Sequence, residues 1–286
     1  GSRKGSVSLV VEPLPTGLVT PELNGTNVAD IGKLAEVLVS VLGRLPGRPR
    51  RVALAVPDCA AKVALVRLEQ VPSRVAELEK LLHWLARKTA PFRSEDTQLA
   101  YVGGVQTESG GREFAVTLMR RDVVEEYETA CTRAGVHAGI VDLSSFGLIN
   151  AVLVRGVSHH GDWLLVHVAS GYCSLAVVRE GKLVLFRVRA SDGAEELVDV
   201  VHQTRMYYED RLVGAGFRNA YLFCDVEAIG AEKVRELRLT IESGLGIPVE
   251  DIALSIPLAS LGRDSEHTEL AIAPVGLLWR ERDPVA

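Results

Sequence analysis

Residues Asp162–Arg189, D-W-L-L-V-H-V-A-S-G-Y-C-S-L-A-V-V-R-E-G-K-L-V-L-F-R-V-R, read as three consecutive strands joined by tight turns. Leu164–Ala169 is almost wholly apolar, as expected of a strand covered on both faces. Ser170-Gly171 and Glu180-Gly181 are turn dipeptides, so Ser174–Arg179 and Leu183–Val188 follow as tandem hairpins. The first turn closes a buried strand, a place where the backbone N–H groups of a hairpin can face a phosphate.

Outward from this core, the C-terminal side alternates helix and strand. Gly193–Leu212 is a long helix, Asn219–Cys224 a strand, Ala231–Leu245 a helix, Ile247–Val249 a short edge strand and Glu269–Arg280 a final helix. On the N-terminal side, Ser6–Val11 reads as a strand, Ile31–Leu42 as a helix behind an Asn27–Asp30 cap, and Arg51–Val56 as an apolar strand stopped by Pro57-Asp58. Ala61–Leu68 is a further strand. Val75–Lys88 is a helix with Glu77 and Glu79 early and Arg87-Lys88 late, a charge order that suits its dipole. Leu99–Val105 and Phe114–Met119 are strands, Arg121–Ala134 a helix ended by Gly135, Ile140–Asp142 a strand and Ser144–Leu153 a helix.

Three antiparallel strands leading into strand–helix alternation form a ribonuclease-H-like unit. Two such units face to face give an α/β, actin-like architecture. The expected division is residues 1–158 for the first unit, carrying an inserted α+β subdomain at about 63–139, and residues 159–286 for the second. The polar stretch Arg155–Asp162, with its glycines, marks the boundary.

A chain of 286 residues is long enough for two domains, and 47% hydrophobic with 24% charged residues is ordinary for a globular protein. Aromatics make up only 5%, so the core is built from Val, Leu and Ala. A net charge of −5 and a pI near 5.9 give no case for a nucleic-acid partner, which calls for clustered basic surface. Cys59, Cys131, Cys173 and Cys224 are widely spaced in apolar surroundings and read as buried free thiols of a reducing cytoplasm. With no C-x-x-C pair, no zinc site is expected. No apolar run approaches the ~20 residues of a spanning helix, and Gly1-Ser2 reads as an expression remnant with no signal peptide behind it.

From about Arg51 onward the sequence resembles the type IV pilus assembly protein PilM family, actin-like cytoplasmic proteins. The resemblance rests on V-A-L-A-V-P-D (Val52–Asp58), V-P-S-R-V-A-E-L-E-K-L-L-H-W-L-A-R-K-T-A-P-F (Val71–Phe92), R-R-D-V-V-E-E-Y (Arg120–Tyr127) and A-G-V-H-A-G-I-V-D-L-S-S-F-G-L (Ala134–Leu148). The three-strand core and A-P-V-G-L-L-W-R (Ala273–Arg280) complete it. It implies a non-catalytic scaffold at the cytoplasmic face of the inner membrane, working in pilus assembly and twitching motility. The groove between the first unit and its inserted subdomain would receive the N-terminal tail of a PilN-like bitopic membrane protein, with other pilus or secretion components as further partners. Apolar side chains of the inserted helix and its exit, Leu81, Trp84, Leu85, Pro91 and Phe92, are the partner-binding candidates, since such a tail docks by apolar anchors plus backbone hydrogen bonds. A close variant is the GspL-like cytoplasmic domain of a type II secretion system.

Actin-like nucleotide sites need an acidic residue at the end of the first strand of each unit to hold hydrated metal, and a glycine beside it so that backbone N–H groups reach phosphate. Against a D-x-G-x-x-x-T pattern this chain has His167 for the Asp and Ala169 for the first Gly. An imidazole does not replace a carboxylate toward hard Mg²⁺. The glycine pair that follows the late strand in the family is absent after Cys224, where Asp225-Val226 stand, and little chain precedes Ser6 to supply the first unit's own phosphate hairpin. The expectation is therefore no cofactor. The alternative, an actin-like ATPase binding ATP and magnesium, would use Ser170, Gly171 and Ser174; a polymer-forming protein of the FtsA type is a third reading. His159-His160 lack a spaced third ligand, His83 reads as packing or surface, Tyr207-Tyr208 as packing inward, Glu209-Asp210-Arg211 as a solvated face, and Ser144-Ser145 as a helix start rather than a nucleophile elbow.

Overall fold

The protein is described from a computed structural model covering residues 8–89, 92–107, 110–154, 161–190, 194–224, 229–252 and 268–282. Its elements are α1 (Ile31–Arg44), β1 (Arg51–Val56), β2 (Ala61–Leu68), α2 (Val75–Ala86), β3 (Thr97–Gln106), β4 (Arg112–Arg120), α3 (Arg121–Arg133), β5 (His137–Leu143) and α4 (Ser144–Val154). Then follow β6 (Asp162–Ala169), β7 (Tyr172–Arg179), β8 (Lys182–Ala190), α5 (Ala194–Arg211), β9 (Asn219–Cys224), α6 (Ala231–Leu245), β10 (Val249–Asp251) and α7 (Ile272–Arg282).

The C-terminal sheet has the order β10-β9-β6-β7-β8. β6, β7 and β8 are antiparallel, while β9 and β10 run parallel to β6. This is the ribonuclease-H-like arrangement, and the fold is α/β and actin-like. The β7–β8 turn places both Glu180 (φ 51°) and Gly181 (φ 74°) in the left-handed region, the backbone of a type I′ turn whose twist matches the flanking strands. One face of the sheet packs Leu164, Val166 and Leu175 against Leu197 of α5 and Ile241 of α6. The other packs Leu165, Ala176 and Val178 against Leu148 and Val152 of α4 and Ile272 of α7. Both faces are covered, which is why the strand reads as a continuous apolar run.

In the N-terminal part, β1 and β5 form a parallel pair with a register shift at Val52/Ala53. The inserted sheet, ordered β2-β4-β3, is antiparallel. Asp30 caps α1 through the N–H of Lys33. α3 ends in a Schellman turn: Gly135 (φ 81°) donates to the Thr132 carbonyl and Val136 to that of Cys131. Glu126 on α3 is buried and accepts the backbone N–H groups of Asn27 and Val28, which ties the segment before α1 onto that helix.

The expected strand at Ser6–Val11 is not found over its described residues, Ser8–Val11. Among the described residues no neighbouring strand pairs with them, and an extended segment without a partner is not a strand. Tyr208 is buried as expected, its hydroxyl donating to Asp162 with the Gly216 carbonyl 3.1 Å away, but Tyr207 is half exposed beneath Arg187. The boundary stretch 155–160, with His159-His160, lies outside the described residues, as does Asp225-Val226.

α4 and α7 cross through glycine. A Cβ on Gly276 would lie 1.9 Å from the Gly147 carbonyl oxygen, and one on Gly147 would lie 2.2 Å from that of Ala273. The backbones can approach this closely only without side chains. Gly276→Ala is therefore expected to force the helices apart at a cost of about 1–3 kcal/mol or more, read as a lowered thermal midpoint. An unchanged midpoint would mean that the crossing is looser than described.

Candidate functional site

Two places merit a functional reading: the cleft where the phosphate hairpin was expected, and a groove beside the inserted sheet.

In the cleft, Pro57 ends β1 and turns the chain so that Asp58 points inward. Ser145 opens α4, and His167 of β6 faces Ser174 of β7 across the ladder. These side chains converge on one carboxylate. Asp58 Oδ1 accepts the Ser145 backbone N–H at 3.0 Å. Its Oδ2 accepts the Ser145 hydroxyl at 2.5 Å and the Ser174 hydroxyl at 2.7 Å, and lies 3.1 Å from His167 Nδ1. The Asp58 N–H is 3.4 Å from the Tyr172 hydroxyl, which accepts it. Phe223 and Tyr172 stand edge-on to the imidazole. Asp58 and Ser145 are fully buried, Ser174 is 1% exposed and His167 4%.

Burial alone would raise the Asp58 carboxyl. The hydrogen bond and charge of His167, then the Ser145 and Ser174 hydroxyls, outweigh it and hold the group below the usual carboxylate range. Burial and the neighbouring Asp58 charge push the Cys59 thiol up to about 11 and the Tyr172 hydroxyl well above its ordinary value.

A serine, a histidine and an aspartate in contact invite comparison with a hydrolytic triad. The geometry rejects it: the Ser145 hydroxyl and the Asp58 carboxylate lie against the same imidazole nitrogen, His167 Nδ1, at 3.0 and 3.1 Å, so the ring does not bridge them as a triad histidine does. Nor does the donor set fit a hydrated magnesium, since the carboxylate at hand, Asp58, is already taken up by Ser145, Ser174 and His167. Of the residues weighed for nucleotide, Ser170 and Gly171 form an exposed turn, with Gly171 at φ 79°, and Ser174 is turned inward onto Asp58. Among the described residues no group of three His, Cys, Asp or Glu could hold a metal ion.

The groove has a volume of about 640 Å³. One wall is the inserted sheet, the other β5 with α4, and the β7–β8 turn lies at one end. The sheet's two faces differ in bulk, and this makes the space. One face carries Leu99, Tyr101, Phe114, Val116 and Leu118, and α2 covers it with Leu78, Leu82 and Ala86. The other face carries Gln98, Ala100, Val102, Ala115, Thr117 and Met119, all of which line the groove. Small residues there leave room that a row of leucines would fill. Val102, in this wall, is 39% exposed.

The sequence candidates for partner binding lie on the α2 side of this sheet. Leu81, Leu85 and Phe92 pack against the subdomain core. Trp84 is 47% exposed, with Lys88 Nζ 4.7 Å and the Arg87 guanidinium 5.9 Å from its ring centre. Pro91 lies outside the described residues. The groove-lining residues were missed because none is aromatic apart from Tyr101 and Phe146. The signal that could have found them is the period-two run of small residues Ala100, Val102, Ala115 and Thr117.

Comparison with known proteins places this geometry. The profile of the family described as type IV pilus assembly protein PilM matches residues 6–211. Among solved structures, a PilM-PilN type IV pilus biogenesis complex superposes with a TM-score of 0.78 at 18% identity, over 96% of this chain and 90% of the other. The cytoplasmic domain of EpsL, an inner membrane component of the type II secretion system of Vibrio cholerae, gives 0.48 at 12% identity, over 88% and 82%. A Bacteroides thetaiotaomicron protein of actin-like ATPase fold and unknown function gives 0.46 at 10%, over 78% of each chain. No curated protein matches.

Proposed function

Because the chain belongs to the type IV pilus assembly protein PilM family, we propose that it is a non-catalytic docking protein of the pilus machine, whose groove holds the N-terminal tail of a PilN-like membrane protein. A role in type IV pilus assembly follows from the family. The observation that carries the finer reading is the 640 Å³ groove between β5 and the inserted sheet, whose sheet wall carries the small side chains Ala100, Ala115 and Thr117. A similar fold occurs in a complex with PilN.

Under this reading α2 backs the groove wall. Leu81, Leu85 and Phe92 fix it from behind, and Trp84 remains open to a further pilus or secretion component. The cleft is closed by the Asp58–His167 link, which supports a scaffold without nucleotide turnover. No helix among the described residues is long and apolar enough to cross a membrane, and the protein would sit at the cytoplasmic face of the inner membrane through its partner. The division at 158/159, with an inserted subdomain over about 63–139, belongs to the same proposal.

Calorimetric titration tests it. A synthetic peptide carrying the N-terminal residues of the cognate PilN is expected to bind one-to-one in the micromolar range, about −8 kcal/mol. Mg-ATP is expected to give neither heat nor thermal shift. Peptide without binding, or Mg-ATP with micromolar affinity, would overturn the proposal.

A further inference from the structure

We propose that the end of the N-terminal part where α1 and α3 finish is a docking surface for anionic phospholipid headgroups, so that the protein touches a membrane through its own arginines. The inference is independent of what fills the groove.

Topology gathers the surface. β1 and β5 are parallel, and α1 and α3 run beside each other in the same direction. Leu34 shares a cluster with Val123 and Tyr127, while Leu42 packs with Cys131 and Val136. Both helices therefore finish at the end where both strands begin. There the His137 N–H donates to the Arg50 carbonyl at 2.9 Å, joining the two strand entries. Arg44 stands in the last turn of α1 and Arg133 in the last turn of α3, where a cation suits the negative end of a helix dipole.

The loop from α1 to β1, G-R-L-P-G-R-P-R-R (Gly43–Arg51), adds Arg48, Arg50 and Arg51. Neither Gly43–Arg51 nor Arg133–Gly139 contains an acidic residue; the last ones before them on α1 and α3 are Glu36 and Glu128. Arg44 is already paired with Glu12, and Arg51 is engaged within the protein. The free charge is that of Arg48, Arg50 and Arg133, which are exposed and make no ion pair among the described residues. Pro46 and Pro49 fix φ on either side of Arg48, and Gly47 takes φ 94°. The loop thus presents its arginines at little further cost in backbone order.

Phosphate is the group such a cluster fits, because a guanidinium fork bonds two of its oxygens at once. Two observations select a lipid surface over nucleic acid. The patch carries apolar side chains, Val39 at 52% exposure with Leu45 and Pro46, which can enter a headgroup layer. Its two segments hold no Phe, Tyr or Trp on which a base could stack. The rest of the molecule gives direction: with a net charge of −5, the whole is repelled by an anionic surface, and contact has to come through a basic face.

Vesicle flotation of the full protein tests it. The protein is expected to float with vesicles of equal parts phosphatidylglycerol and phosphatidylethanolamine, and to stay unbound with vesicles of phosphatidylcholine and phosphatidylethanolamine. Arg48→Gln with Arg50→Gln is expected to weaken partitioning by about 25-fold, and Arg133→Gln alone by about fivefold, from the usual worth of one arginine near an anionic surface. Removing as much charge from the exposed side of α6, by Lys233→Gln with Arg235→Gln, should change it by no more than about twofold, since charges beyond a Debye length are screened. All variants should keep the parent thermal midpoint, because the substituted side chains are exposed. If the loop variant misfolds, Arg133→Gln on α3 decides. No flotation, equal flotation with the neutral vesicles, or equal weakening by the loop and α6 variants would overturn the proposal. So would binding of a duplex DNA oligonucleotide, and not of phosphatidylglycerol vesicles, through the same arginines.

Discussion

Asp58→Ala is expected to destabilise the protein by about 3–5 kcal/mol, because it strips the acceptor from several buried donors at once, and to lower its thermal midpoint by roughly 10 °C. The carboxylate receives an N–H, two hydroxyls and an imidazole at one buried point. Its loss leaves all of these without their acceptor, and unsatisfied buried donors cost more than the net value of the bonds they once made. The cluster also joins elements far apart in sequence: the turn after β1 and helix α4 contribute Asp58 and Ser145, β6 and β7 contribute His167 and Ser174. The variant should loosen the N-terminal part from the C-terminal sheet, seen as faster hydrogen exchange at Val56 and Leu143 before the sheet centre melts. Asp58→Ala combined with His167→Leu should recover part of the loss, since exchanging both members of a buried pair for apolar groups is far milder than removing one.

The same carboxylate gives a pH dependence with a defined sign. Its folded-state pKa is depressed, so its contribution is fully present above the unfolded value, about 3.9, and is lost as pH falls through the lower folded value. Stability of the parent protein should drop in acid below about pH 4, and Asp58→Asn, already weakened at neutral pH, should lose less over that interval. Parallel acid titrations of the two proteins would contradict the assignment.

Filling the groove is the second large effect. Ala100→Phe puts a ring where the wall now carries a methyl group, at an exposed position on the face away from α2. Binding of the PilN tail peptide is expected to fall by about 100-fold or more, about 2.7 kcal/mol. The thermal midpoint should hardly move, because exposed positions away from caps and cores usually change stability by no more than about 0.5 kcal/mol. Val102→Glu offers an independent variant with the same expectation, since it places a charge among apolar anchors. Retained affinity in both would remove the groove from the account, whereas loss of fold in one leaves the other as the test.

Much of the architecture was legible because its signals are local. Ser170-Gly171 and Glu180-Gly181 close the hairpins where the dipeptides stand, and β1 and β2 begin and end where apolar runs meet Pro57 and Glu69. Pro and Gly fix backbone angles regardless of context, so punctuation of this kind survives in the fold. The family resemblance also rested on ordered local segments. The site was less legible because it is made by contacts across long separations. His167 read as the loss of a metal ligand. That it gains Asp58, 109 residues earlier, could not be read from either neighbourhood, although the V-P-D stop after β1 placed a carboxylate at a strand end. The groove was hidden for a different reason. An amphipathic helix bearing Trp84 draws attention as a docking surface, whereas the open space comes from what Ala100, Ala115 and Thr117 lack. Absence of bulk leaves a sign only in which face of a strand is small, and that has meaning once the opposite face is known to be covered by α2. Ser8–Val11 was misread because a β-rich composition states a preference and not a partner.

The central claim is that the working surface lies between β5 and the inserted sheet, while the Asp58 cluster is a buried structural link. Hydrogen exchange of the full protein with and without the cognate PilN tail peptide tests it most directly. The account predicts new protection at Gly139–Leu143 and Ala100–Gly104, with none at Ser170-Gly171. Protection confined to the Ser170-Gly171 turn, or to the outer face of α2 around Trp84, would contradict it.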